Sequence, residues 1–422
     1  MSCRMTLRKT KAHFSFSVLG FLFLSQWASA SSAPLTLQDV FQSAQKQSEA
    51  LQIQQTREAQ VQEKWVQNRG MLLPTVQVLS SYQYQDLKSQ ASLLNSRVNM
   101  TQPIFHGFGE WAALRAADAD REAQGYLSKQ AVLMLYQQVA QAFFSVLAAE
   151  KELKNLEELL KLTQQRQAEL QQRLKVGRSR KGDLLATQTQ EAQLMAQKTG
   201  ALGDLERART QLAMLTGVSS DFQISLSGPN PYSVSRVEEF LGQLEERPDV
   251  LSGKFAVISA EESQSIARAG HYPGLDFGAN YYLKRQSAFW QNVKWDLALS
   301  LSIPLFQGGV VSSKVREAAE RQREKEWMLA QTRRQAERDI RSAFQAWKAS
   351  VDQEKNLKQA VDLAERNYQE QTHDYRLGLV TYLELITAMN TLQETRRAYD
   401  RTQIQSWNHR AMLEAAAGKV SL

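Results

Sequence analysis

Thiol chemistry is almost missing from this chain of 422 residues, because its one cysteine, Cys3, lies within the first thirty. Disulfides, haem attachment through Cys-x-x-Cys-His and thiolate metal sites are thereby excluded from the rest. Histidines are few, and His106, His271, His373 and His409 show no metal-ligand spacing. Neither a glycine-rich phosphate loop nor a nucleophile elbow occurs. The chain is therefore read as neither an enzyme nor a holder of metal or cofactor. Long apolar runs are scarce too. Phe14 to Leu24 is the one that stands out, and it is shorter than the about 20 residues of a membrane-crossing helix. Arg4, Arg8, Lys9 and Lys11 precede it and Ala28-Ser29-Ala30 follow, which is the pattern of a secretory signal over residues 1–30, cut after Ala30. Cys3 lies ahead of that apolar region, so it is not the acylated first residue of a lipoprotein. Without the leader's four basic residues the formal net charge falls from +7 to +3, which argues against nucleic acid as a partner. Proline is absent from residues 105–176 and 305–377, so long helices can run there unbroken.

What the chain does have is an internal repeat. Gln102-Pro103-Ile104-Phe105-His106-Gly107 returns as Ile303-Pro304-Leu305-Phe306-Gln307-Gly308, and at the same offset Arg115 meets Arg316, Ala142-Phe143 meets Ala343-Phe344, Gly177 meets Gly378 and Gly217 meets Gly418. About 115 residues align without a gap, the mark of a duplicated unit. The division implied is a first repeat over 31–217, a linker over 218–235 and a second repeat over 236–422.

Each repeat opens on a helical pattern, Thr36 to Arg69 and about Arg236 to Arg268, which a proline then ends. Alternation follows. Val76, Val78, Tyr82 and Tyr84 share one face of a strand, as do Leu275, Phe277, Ala279, Tyr281 and Leu283 of another. Val293, Trp295, Leu297, Leu299, Leu301 and Ile303 alternate with Lys294, Asp296, Ala298, Ser300 and Ser302. Such period-two segments suit membrane-spanning strands, and equally a half-buried soluble hairpin. After Pro103 and Pro304 a helix of about 100 Å runs to each tip glycine. In the first copy Val139, Val146, Leu153, Leu160 and Leu174 recur at heptad spacing, with Ala142, Ala149, Leu156 and Leu170 beside them. A return helix of about half that length ends at Gly217 or Gly418, so two shorter helices stacked end to end are expected to cover each long one.

Helix, strand pair, long helix, glycine turn and return helix, given twice, resemble the outer-membrane efflux proteins, the TolC-like family. The local strings agree: Arg247-Pro248-Asp249 inside the second opening helix, Ile303-Pro304-Leu305-Phe306-x-Gly308-Gly309 after the last strand, and Tyr375-Arg376-Leu377-Gly378-x-x-Thr381-x-x-Glu384-Leu385 at the second turn. The resemblance implies a mainly α fold with four strands per protomer in a shared transmembrane β-barrel above a long periplasmic α-barrel. It implies a homotrimer in outer-membrane lipid that works with a periplasmic adaptor and an inner-membrane pump in tripartite efflux or type I secretion. Four strands cannot close a barrel alone, since the smallest single-chain examples have about eight.

The resemblance also places adaptor docking at Lys175, Val176, Gly177 and Arg180 in the first turn and at Arg376, Leu377, Gly378 and Thr381 in the second. It makes Asp183, Tyr375 and Glu384 a periplasmic gate, with a Tyr375–Asp183 contact holding it shut. Plainer readings stand beside these. Each glycine ends a helix, Glu384 completes a capping box with Thr381, and Asp183 favours its helix N-terminus. Thr387 stands where relatives add a second acid, which weakens any doubled cation ring. Lys175, Arg178, Arg180 and Lys181 make the first turn basic, suiting either an acidic partner or plain solvation. The rival reading is a periplasmic coiled-coil adaptor without a pore, which leaves the alternating strands unexplained.

Overall fold

The computed structural model describes residues 34–85, 91–218, 222–233, 236–285 and 293–420, so the expected leader lies outside the described residues. The described residues belong to one compact unit. The first copy comprises α1 (Leu37–Gln47), α2 (Glu49–Gly70), β1 (Thr75–Gln85), β2 (Ala91–His106), α3 (Gly109–Lys175) and α4 (Lys181–Thr216). The second comprises α5 (Val237–Leu241), a 3-10 turn (Leu244–Glu246), α6 (Pro248–Ala269), β3 (Gly274–Lys284), β4 (Trp295–Ser302), α7 (Val310–Leu377) and α8 (Tyr382–Ala416).

Each opening helix is broken where one continuous helix was expected. Ser48 caps α2, its hydroxyl accepting the Leu51 amide. In the second copy Pro248 is the first residue of α6, so Arg247-Pro248-Asp249 starts a helix rather than lying inside one. Proline has no amide to donate and suits the first turn of a helix, where that donor would lack an intrahelical partner anyway. The break has a use. Gly217, closing α4, lies against Gln47, and Gly418, closing α8, lies against Arg247 and Pro248. The Arg247 guanidinium donates to the Ala416 carbonyl at the end of α8 and holds Asp249 at 2.7 Å. Short helices thus abut end to end beside the long ones.

α3, of 67 residues, carries both pairs. Its first half meets α2 through Gln124 and Gln54 and α6 through Arg115 and Glu262, and its second half meets α4 through Glu150 and Arg209 and α8 through Glu152 and Arg397. α3 also contains a stretch apolar enough to cross a membrane by composition, in addition to the run from Phe14 to Leu24. Tyr136, Val139, Ala140, Phe143 and Val146 of that helix are core residues instead, packed with Leu37, Phe41, Leu212 and Ala411. The expected seam is buried at Val139, Val146, Leu156 and Leu170.

The inter-repeat segment straps this core. Leu35 pairs with Ile224, the Leu37 amide donates to Ser227 Oγ at 2.8 Å, and Trp347 Nε1 donates to the Pro231 carbonyl at 3.0 Å. Tyr232 donates its hydroxyl to buried Glu354 at 2.5 Å, and burial first, then that carboxylate, push its phenol up to about 12.

The four strands form one antiparallel sheet in the order β1-β2-β3-β4. β2 runs on through Pro103 to His106, beyond the turn expected at that proline. Its pairing with β1 has already stopped at Thr101, and a register shift between Pro103 and Phe105 absorbs the missing donor. β2–β3 pairing joins the two copies, leaving β1 and β4 as the outer strands.

Candidate functional site

Two places carry features that a soluble helical scaffold does not need. The first is the sheet. Val78, Val98, Tyr281 and Trp295 oppose one another across the four strands, and on this face Val78 is 68% and Leu299 66% exposed. The other face is polar. Gln77, Asn99, Asn280 and Asp296 are register partners, and their side chains bond in sequence: Gln77 donates to Asn99 at 3.3 Å, Asn99 to Asn280 at 3.0 Å, and Asn280 to Asp296 at 2.8 Å. A face of solvated aliphatics behind an amide ladder reverses the soluble arrangement, in which apolar groups turn inward. At the helix end of the sheet His106 lies 2.7 Å from Glu110 and 3.3 Å from Asp276, tying β2, α3 and β3 together.

The second place is the far end of the long helices. Gly177 (φ 71°) and Gly378 (φ 78°) turn the chain through the left-handed region that glycine enters without steric cost. Lys175, Val176, Arg178 and Arg180 are exposed around the first turn, and Arg376, Leu377 and Thr381 around the second. Among the described residues none of these cations has a carboxylate within ion-pair distance. Thr381 and Glu384 form the capping box. The Thr381 amide donates to Glu384 Oε2 at 2.6 Å and the Glu384 amide to Thr381 Oγ1 at 3.3 Å. The Thr381 amide, then its hydroxyl, hold the Glu384 carboxyl below its usual range. Asp183 does the weaker equivalent for α4, accepting the Arg180 amide at 3.4 Å.

Tyr375 and Asp183 share no hydrogen bond within one chain. Tyr375 instead lies under the Arg173 guanidinium, 4.8 Å from the ring centroid, and beside the Tyr382 ring at 5.9 Å. Burial pushes its phenol up, with Arg173 opposing and the Glu169 and Asp183 charges adding.

The contacts that do join the two hairpins were not singled out in the sequence. Tyr382 is buried, and its hydroxyl meets Thr187 Oγ1 at 2.7 Å, which in turn donates to the Asp183 carbonyl at 2.8 Å. Glu169 receives Arg166 and Arg173, each at 2.8 Å, and Arg166 also reaches the Tyr368 hydroxyl at 3.1 Å. Burial raises the Glu169 carboxyl, but the two guanidiniums outweigh it and leave the group below its usual range. The sequence signal was the spacing of Arg166, Glu169 and Arg173, one ridge of α3. Their partners on α7, Tyr368 and Tyr375, lie about 200 residues away.

Comparison with known proteins covers both places. The profile of the family described as "Outer membrane efflux protein" matches residues 40–218 and 243–419. Outer membrane protein TolC of Escherichia coli K12 is 24% identical over 425 residues, covering 95% of this chain and 85% of that protein. A solved structure of CusC superposes with a TM-score of 0.81 at 18% identity, covering 90% of this chain and 92% of that one. The outer membrane protein VceC of Vibrio cholerae gives 0.79 at 21%, covering 91% and 96%.

Proposed function

From the premise that the chain belongs to the outer membrane efflux protein family, we propose that it is one protomer of a homotrimeric channel. The channel conducts solutes delivered by an inner-membrane pump and a periplasmic adaptor across the periplasm and outer membrane. The observation that carries this is the sheet. An aliphatic face, an amide-lined face and two outer strands free to pair with further copies suit a barrel in lipid around a wet lumen. A periplasmic adaptor without a pore has no use for that sheet. With α3 and α7 each about 100 Å long, the tip turns lie far enough from the sheet to reach partners across the periplasm.

Adaptor docking belongs at the two turns, over Lys175, Val176, Gly177, Arg180, Arg376, Leu377, Gly378 and Thr381, where exposed apolar and basic side chains stand together. The gate belongs just inside, at Asp183, Tyr375 and Glu384. The half-buried Tyr375 hydroxyl has no hydrogen-bond partner among the described residues, which supports a contact with a carboxylate of the neighbouring protomer. The leader is removed after Ala30 and the mature protein, starting at Ser31, carries no lipid.

The test is purification from outer-membrane fractions, with native mass spectrometry in mild detergent, migration on gels with and without heating, and current across planar bilayers. A trimer of unacylated chains beginning at Ser31, compact before heating and conducting, is expected. A soluble periplasmic protein, or one that inserts without ever passing current, would reject the channel.

A further inference from the structure

Charge on the polar face of the sheet is concentrated at one level. One step from the amide ladder, away from the helices, Arg97 opposes Tyr282 in the β2–β3 register. It lies two residues from Asn99 and so on the same face. The Tyr282 amide donates to the Lys294 carbonyl at 2.8 Å, which sets Lys294 at that level, two residues before Asp296. The Arg285 guanidinium lies over the Tyr282 ring, 4.2 Å from its centroid, and 4.0 Å from Asp296 Oδ2. Among the described residues, Arg97 of β2, Arg285 just after β3 and Lys294 just before β4 therefore gather here against the one carboxylate of Asp296. That carboxylate already accepts the Asn280 amide and faces Arg285. Arg97 and Lys294 are exposed, and among the described residues neither has a carboxylate within ion-pair distance.

Toward the helices the same face is uncharged and mostly small, with Thr101, Gly278, Ala298 and Ser300, until Asp276, which His106 occupies. Among the described residues, Asp296 is therefore the one carboxylate set against the three cations on this part of the face.

We propose that Arg97, Arg285 and Lys294 form a basic collar at the outer end of the lumen that favours anionic solutes over cations in passage. This rests on the channel reading, in which the polar face lines the lumen and each copy adds its three cations to one ring. Charges of one sign in a narrow passage with low-dielectric walls raise the local concentration of counter-ions, and rings of Arg and Lys are a recurrent device of anion pores. The effect is electrostatic and so depends on salt. The screening length is about 10 Å at 0.1 M and about 3 Å at 1 M, so selectivity set by the collar fades over that range.

Reversal potentials of the reconstituted full-length channel in KCl gradients test this. Arg97→Gln with Lys294→Gln should lower the chloride-to-potassium permeability ratio several-fold at low salt, and Asp296→Asn, which keeps an acceptor for Asn280, should raise it. Both differences should shrink at high salt. If the double variant fails to assemble, Asp296→Asn decides by itself. Current with an unchanged ratio in the variants overturns the collar alone. A wild-type protein that inserts and passes no current overturns the channel, and the collar with it.

Discussion

The Tyr382 hydroxyl sits 2.7 Å from Thr187 Oγ1, buried where α8 begins and α4 passes. Thr187 spends its single proton on the Asp183 carbonyl, so Tyr382 must be the donor. This bond and the Glu169 cluster tie the second hairpin to the first in each chain. Tyr382→Phe removes the donor and keeps the ring. It should weaken the tip by about 1 kcal/mol, the usual net worth of such a bond. Amide exchange over the first turns of α8 should quicken about fivefold, while global stability changes little. Unaltered exchange would show that ring packing alone holds the tip.

Tyr375 and Asp183 test the gate separately. Within one chain they share no bond, so Tyr375→Phe should leave the stability of the isolated hairpins intact. If the phenol meets a carboxylate of the adjacent copy, a charge-assisted bond of about 1.5 to 3 kcal/mol closes the tip. Tyr375→Phe and Asp183→Ala should then raise conductance non-additively in a double-mutant cycle. Additive effects would remove the pair from the gate.

The facing of β4 predicts opposite outcomes for neighbours. Leu299→Arg puts a charge on the aliphatic face, at a cost of about 2 to 4 kcal/mol near the bilayer midplane, and should impair assembly. Ser300→Arg adds its charge to the polar face, so assembly should persist with reduced conductance. Equal loss of the heat-modifiable form in both variants would reject this facing.

His409 supplies a pH dependence in the helical core. Burial is the larger effect and lowers its pKa from 6.5, with the Ala346 carbonyl opposing. The folded state thus keeps the ring neutral where the unfolded chain takes up a proton. Its contribution to stability is full above about 6.5 and is lost as pH falls from there through the lower folded value. His409→Gln should flatten the decline of the unfolding temperature between about pH 7 and 5 relative to wild type. A decline identical to wild type would assign the acid sensitivity to other groups.

Periodicity and duplication were enough to read the strands, the long helices, the glycine turns and the alternation between the two faces of the sheet. Each of these is written over a few consecutive residues, and two copies report it twice. Thr381 with Glu384 was legible for the same reason, since both halves of the box lie within one turn of helix.

Other features depend on partners far along the chain. Gln47 looks like any polar helix residue until Gly217 at the end of α4 lies against it, and Arg247 reads as part of a helix until the Ala416 carbonyl gives it a role. The partnership of Arg166 with Tyr368 and of Thr187 with Tyr382 depends on how four helices are rotated about their axes. That rotation follows from packing the whole core, which no local window contains. The amide ladder is the clearest case. Alternation alone put Asp296 on a polar face, because side chains in a strand have a period of two, but it did not pair that residue with Asn99 or Asn280. Only the β2–β3 register, across more than 170 residues of intervening chain, brought them to one level where each amide could donate to the next.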